Sequence, residues 1–199
     1  MKIKETALFL TGFQNDFCSE DGALYEAVKE VLTKNNTIAN TVDLLEKLRG
    51  KGMLILFTPI VFTSDFRELR NPVGILKAIK DLGAFRKGTK GCEMIEELEP
   101  FADDITIVPG KRGLCGFGNT AMDSILESNG IKNVVLAGLL TNICVESTAR
   151  TAYDKGYEVI VLKDCTACKS LLEQKFAEEN IFPLLGTVMN HDELLEQLE

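Results

Sequence analysis

Short apolar runs alternate with helical patterns from one end of this 199-residue chain to the other. Ala7–Leu10, Met53–Phe57, Ile105–Val108, Val134–Leu139, Glu158–Leu162 and Thr187–Met189 read as six strands. Their near-continuous apolar character suits strands covered on both faces, hence a parallel sheet. Helical patterns fall between them at about 33–50, 72–98 in pieces, 117–129, 142–155 and 170–180, with a last one near 191–198. Glycines stop three of these (Gly50, Gly130 and Gly156), and Asn190 with Glu193 three residues on forms a capping-box pattern before the last. A β-α-β alternation with right-handed crossovers gives a three-layer αβα sandwich around a doubly wound, six-stranded parallel sheet, Rossmann-like, in one domain over 1–199.

Charge and hydropathy narrow the partners. A net charge of −8 argues against nucleic acid or anionic lipid. Apolar runs such as Val134–Leu140 are far shorter than the roughly 18 residues of a membrane span. The opening MKIKETALFLTGF lacks a small-residue cleavage pattern and reads as a buried strand, so the chain is expected in the cytoplasm. Six scattered cysteines (18, 92, 115, 144, 165 and 168) form no disulfide framework and are expected as reduced thiols, most of them small core residues.

Ligands of such sheets bind beyond the carboxyl ends of the strands, where strand order reverses. The windows to search are therefore 11–18, 58–67, 109–118, 139–144 and 163–168. In the window 137–157, Thr141 or Asn142 can cap a helix whose first turn carries Cys144. Unpaired N–H groups and the helix dipole there stabilise a thiolate and can receive an oxyanion. The alternative, one more buried small residue, stays open from this window alone. Lys111 and Arg112 follow the third strand on the same sheet edge, where a cation favours a thiolate. Gln14, Asn15, Asp16 and Phe17 follow strand one as a polar cluster with a hydrophobic wall, or as turn chemistry. Cys165 and Cys168 form a C-x-x-C that a redox pair or half a zinc site could use, though no second ligand pair is present.

Three stretches taken together, GFQNDF, GK followed by Phe117 and Thr120, and AGLLTNICVESTARTAYDKGYEVIVLKDC, resemble the isochorismatase-like cysteine hydrolases. That family includes nicotinamidases, carbamoylsarcosine amidohydrolase-like enzymes and isochorismatases, and the resemblance runs from Ala7 to about Met189. It implies that Cys144 attacks a carbonyl carbon of a small amide and forms a thioester, with Lys111 beside it. It implies a cis peptide at Leu139–Leu140 and an oxyanion hole from the N–H groups of Leu140 and Cys144. Gln14, Phe17, Arg112 and Thr141 become the substrate-binding candidates. A dimer or larger homo-oligomer is implied too.

The sequence departs from the family at two places. The acidic triad member, two residues before Gln14, is Gly12 here, and general acid–base help is typically worth about 10²–10⁴-fold. Asp16 or Glu146 could substitute, the substrate could bring its own acid or base, or hydrolysis could be lost. Restoring an acid at position 12 would then separate a dormant site from a binding role. Secondly, the stretch FTPIVFTSDFRELR lacks the histidines that hold the nicotinamidase metal, so no metal and no cofactor is expected. The single histidine, His191, is expected on the surface. Residues 62–91 carry Arg67, Arg70, Lys77, Lys80, Arg86, Lys87 and Lys90 and are expected to cover the pocket. The leading function is a metal-free hydrolase of a small-molecule amide. Its rivals are a non-hydrolytic binder of a small molecule or partner, and a thiol redox sensor.

Overall fold

All six expected strands form in the computed structural model, which describes residues 1–199. They are β1 (Thr6–Thr11), β2 (Leu54–Thr58), β3 (Ile105–Ile107), β4 (Asn133–Leu139), β5 (Glu158–Ala167) and β6 (Gly186–Met189). Each pairs in parallel with its neighbours in the order β3-β2-β1-β4-β5-β6. The chain winds outward from β1 to β3, then returns to β4 beside β1 and winds the other way. The switch point therefore lies between the carboxyl ends of β1 and β4, the crevice where such sheets bind ligands.

Eight α-helices accompany the sheet: α1 (Asn15–Cys18), α2 (Tyr25–Lys34), α3 (Thr37–Leu48), α4 (Gly74–Leu82), α5 (Met122–Ser128), α6 (Glu146–Asp154), α7 (Leu171–Phe176) and α8 (His191–Gln197). Successive residues of a strand face opposite ways, so the sheet divides the core in two. Leu8 and Leu10 of β1 pack with Val28 and Val31 of α2, Leu44 and Leu45 of α3 and Leu194 of α8. Ala7 and Phe9 face the other layer, with Leu126 of α5 and Ala149 and Ala152 of α6. The capping box of α8, from Asn190 and Glu193, forms as its sequence predicts. No helix is long and apolar enough to cross a membrane.

Three helical expectations change. The preceding α2 was not expected, and the pattern at 33–50 holds one helix, α3, which starts only at Thr37 because Asn36 turns left-handed (φ 50). Its neighbour Asn35 donates its amide to the carbonyls of Lys163 and Thr166, at 3.3 and 3.2 Å, and that tertiary bond wins over helix continuation. The helix expected at 117–129 starts only at Met122, since Asn119 has φ 62 and Thr120 bonds back to Gly116 O. The 170–180 pattern begins as α7 and then loosens into wider π turns at Ala177–Ile181.

Candidate active site

The turn after β4 is the centre of the site. The Leu139–Leu140 peptide is cis, as the family resemblance implied. The Leu140 carbonyl then accepts from the N–H groups of Ile143 and Val145, both at 3.1 Å. The second bond spans five residues, so Thr141–Val145 is a π turn and α6 starts one residue beyond it. Cys144 thus lies in this wide turn and not in the first α-helical turn. Leu140 N–H is taken by no acceptor of the protein. Cys144 is 2% exposed and packs with the larger apolar core, so its sulfur is covered where an open cleft was expected.

Thr148, one turn into α6, joins this turn to the loop after β3. Its hydroxyl donates to Cys144 O at 2.7 Å and accepts from Gly116 N–H at 2.9 Å. Cys115 adds a 3.2 Å contact from its sulfur to the Thr151 hydroxyl. The loop carrying Lys111 is therefore laced to the helix carrying Cys144. Thr148 is absent from the sequence candidates; the signal that could have found it is a hydroxyl four residues after the cysteine.

Lys111 is 1% exposed, and its ammonium has no hydrogen-bond partner, neither a carboxylate nor the Cys144 sulfur. Thr11 Oγ1, at the end of β1, is likewise buried and unpartnered. Next to it, Gly12 has φ +72, and a Cβ there would stand 2.6 Å from Leu139 O. At the matching place on β4, a Cβ on Gly138 would stand 1.8 Å from Thr11 O. The two strand ends meet backbone to backbone, and position 12 offers no room for a side chain.

Neither proposed substitute acid is free. Asp16 accepts from Ala23 N–H at 3.2 Å and from Phe85 N–H at 2.6 Å. Glu146 pairs with Arg150 one turn along α6, at 3.0 and 2.9 Å.

The substrate-binding candidates divide. Gln14, expected to touch a ligand, is 0% exposed and fully spent on backbone. Its amide donates to Ile60 O (2.8 Å) and Cys92 O (2.7 Å), and its oxygen accepts from Ile60 N–H (2.9 Å). Phe17 packs tilted against Phe85, ring centroids 4.9 Å apart, inside the core and so holds the cover segment rather than walling an open pocket. Thr141 is buried and donates to Gln174 Oε1 at 2.7 Å, while Gln174 donates to Thr166 Oγ1 and Glu178. Gln174 escaped sequence reading because an isolated Gln on a surface-like helix carries no signal. Arg112 remains half-exposed and ion-pairs with Glu68, which also accepts from the Thr63 N–H and hydroxyl. This pair borders a cavity of about 290 Å³ rimmed by Pro59, Thr63, Glu68, Lys87, Gly110 and Arg112.

Residues 62–91 do lie against this edge. Phe62 exchanges backbone bonds with Phe85 and Lys87, both 2.8 Å. Asn15 donates to Lys90 O at 3.0 Å, beside the Gln14 and Asp16 contacts already named. Three consecutive polar residues of α1 and its cap thus fasten the cover.

One further expectation is corrected. His191 is not a surface residue: it is 7% exposed, with Nδ1 2.6 Å from Asp164 and Nε2 2.9 Å from Asp43. Burial works against its charge, but the Asp164 and Asp43 carboxylates outweigh it and raise its pKa. Cys165 sits within the extended run of β5, three residues from Cys168. That spacing in a strand separates the Cα atoms by roughly 10 Å, beyond the ~7 Å limit for a disulfide. Burial pushes the Cys165 thiol well up and the Cys168 thiol up to about 11, so the pair is not built for redox work.

A doubly wound αβα fold with its switch point between β1 and β4 defines the class, a three-layer α/β protein with the isochorismatase-like hydrolase fold. The isochorismatase domain model matches residues 6–193, and the chain belongs to that family. A relative from Rhizobium rhizogenes named ureidoacrylate amidohydrolase RutB is 32% identical, over 83% of this chain and 72% of its own. The N-carbamoylsarcosine amidase of Thermoplasma acidophilum superposes with a TM-score of 0.72 at 27% identity, covering 94% of this chain and 97% of that one. A cysteine hydrolase from Pseudomonas syringae pv. phaseolicola shares the fold at a TM-score of 0.83 and 23% identity, covering 98% and 93%.

Proposed function

We propose that this chain is a metal-free amidohydrolase that cleaves a small amide or related acyl C–N bond through a thioester on Cys144. The observation that carries the reading is the turn after β4, where Cys144 and the unspent Leu140 N–H belong to one rigid element. The sulfur attacks the carbonyl carbon, and the carbonyl oxygen gathers negative charge at the N–H groups of Leu140 and Cys144. Collapse of that intermediate breaks the C–N bond, and the departing nitrogen takes the proton that the thiol gave up. Water then attacks the thioester, releasing the acid and restoring the thiol. Lys111 supplies the only cation buried on this edge.

The names of the relatives support amide chemistry. The donor set argues against a metal at the nicotinamidase position, since Phe57–Thr63 contains no histidine and the sole histidine is held by Asp43 and Asp164. Cys144 is 2% exposed, so whatever covers its sulfur has to move aside for substrate to reach it. We read the protein as cytoplasmic and homo-oligomeric, with exposed Leu172, Phe176 and Leu184 as apolar surface for a second copy.

A second reading, a non-hydrolytic binder, draws on Gly12, because no carboxylate takes over the missing position. Incubation with an activated acyl or amide substrate followed by intact-mass analysis decides between them. An acyl adduct on Cys144, with turnover abolished in Cys144→Ala, is expected for the hydrolase. Binding without adduct or turnover overturns it.

A further inference from the structure

Around Cys144 the buried polar groups without a partner are mainly donors; the exception is the Asn142 side-chain oxygen, whose amide nitrogen donates to Glu173 of α7. The Lys111 ammonium is buried without a partner, Thr11 Oγ1 is buried without a partner, and Leu140 N–H is unspent. Hydroxyls can serve either way, but an ammonium and an amide only donate. Burying an unpaired ammonium is so unfavourable that buried charges are found paired or bound to a ligand. The family resemblance implies an acid at position 12, whereas Gly12 has neither a carboxylate nor space for one. Asp16, Glu68 and Glu146 are each engaged elsewhere. No carboxylate of the chain is free to face Lys111, so the missing anion comes from outside it.

Resting on the hydrolase reading of the site, we propose that the substrate carries a carboxylate close to its scissile amide and that Lys111 receives it. The substrate's own anion supplies the negative charge that position 12 lacks, while its amide carbonyl meets the Leu140 N–H. The cavity next to the Lys111 loop agrees in charge. Arg112 and Lys87 rim the cavity beside the Lys111 loop, with Glu68 the one acid among the six rim residues named above. An anionic ligand is drawn in by the two cations and can exchange for Glu68 on Arg112.

The test compares succinamate and malonamate with their neutral diamides, which share the same skeletons. On Cys144→Ala protein, calorimetry should show the amide acids binding about tenfold tighter or more than the diamides. Adding Lys111→Met should erase that preference. Equal binding of acid and diamide, no binding of either, or a preference that survives Lys111→Met overturns the inference. Should the double variant fail to fold, the comparison on Cys144→Ala alone decides. Turnover by the wild-type protein separates the two claims. Carboxylate-selective binding without turnover leaves the anion site standing and removes the hydrolase. Equal turnover of acid and diamide does the reverse.

Discussion

Leu139 O lies 2.6 Å from the point that a Cβ on Gly12 would occupy, and Gly12 itself has φ +72. The absent acid is thus a feature of backbone packing as well as of sequence. A left-handed residue other than glycine costs about 1–2 kcal/mol, and the contact with a backbone oxygen adds to it. Gly12→Asp should therefore destabilise the fold by 2 kcal/mol or more, by that same order-of-magnitude estimate, and bring no gain in turnover. Urea melts beside activity assays check it. A stable variant with a large gain would mean that the strand end relaxes to admit the acid.

Gln14 should behave as a fastener. Its side chain satisfies Ile60 on both backbone groups and Cys92 O, joining the ends of β1 and β2 to the cover segment. Gln14→Leu strands those groups, each at roughly 1–3 kcal/mol if left dry. A loss on the order of 3 kcal/mol is expected, with faster amide hydrogen exchange over residues 85–94. A ligand-contact role would instead raise KM with unchanged melts and exchange.

The strands, their parallel pairing and the windows at their ends were legible because apolar runs and their spacing report burial directly. Helix ends set by a distant partner were not: nothing local in Asn35-Asn36 announces the carbonyls of Lys163 and Thr166. Within the site, the cis bond and the candidate Cys144 were legible in the AGLLTNICV stretch and the candidate Lys111 in the separate GK stretch. The tasks of Gln14, Thr148 and Gln174 were not, because a buried amide or hydroxyl serves ligand or backbone equally well until its neighbours are known. His191 was misjudged for a related reason. Its position at a helix start suggested solvent, while Asp43 and Asp164 come from α3 and β5.

That histidine gives the fold a pH dependence of definite sign. Facing it are Asp164 and Cys165 from β5, Asp43 from α3 and Asp192 on its own helix, with Lys47 bridging Asp43 and Asp192. Its folded pKa is raised above the ordinary 6.5, so its contribution is complete below pH 6.5 and fades as pH rises through the raised value. Asp43 is held below the ordinary 3.8, chiefly by Lys47 and with help from His191, so its contribution is present above pH 3.8 and lost as pH falls through the lowered value. The urea midpoint of the wild-type protein should fall on going from pH 6 to pH 8. His191→Asn should lose on the order of 2 kcal/mol at pH 6 and show a flatter profile. An identical slope in both proteins would remove His191 as its source.

The six thiols should separate by reactivity. Burial raises the Cys18 and Cys165 thiols strongly and the Cys168 thiol to about 11. At pH 8 a thiol of that value is ionised in roughly one molecule in a thousand, and only the thiolate alkylates. Cys92 and Cys115 are partly exposed, so iodoacetamide on the native protein should tag these two first. Cys144 is covered by packing, and its labelling should follow the opening of residues 62–91. Loosening that segment with Gln14→Leu should therefore speed alkylation of Cys144 severalfold while leaving Cys165 and Cys168 slow. Peptide mapping of timed samples reads this out. Labelling of Cys144 at the pace of Cys92 in the wild-type protein would show that no cover stands between the sulfur and solvent.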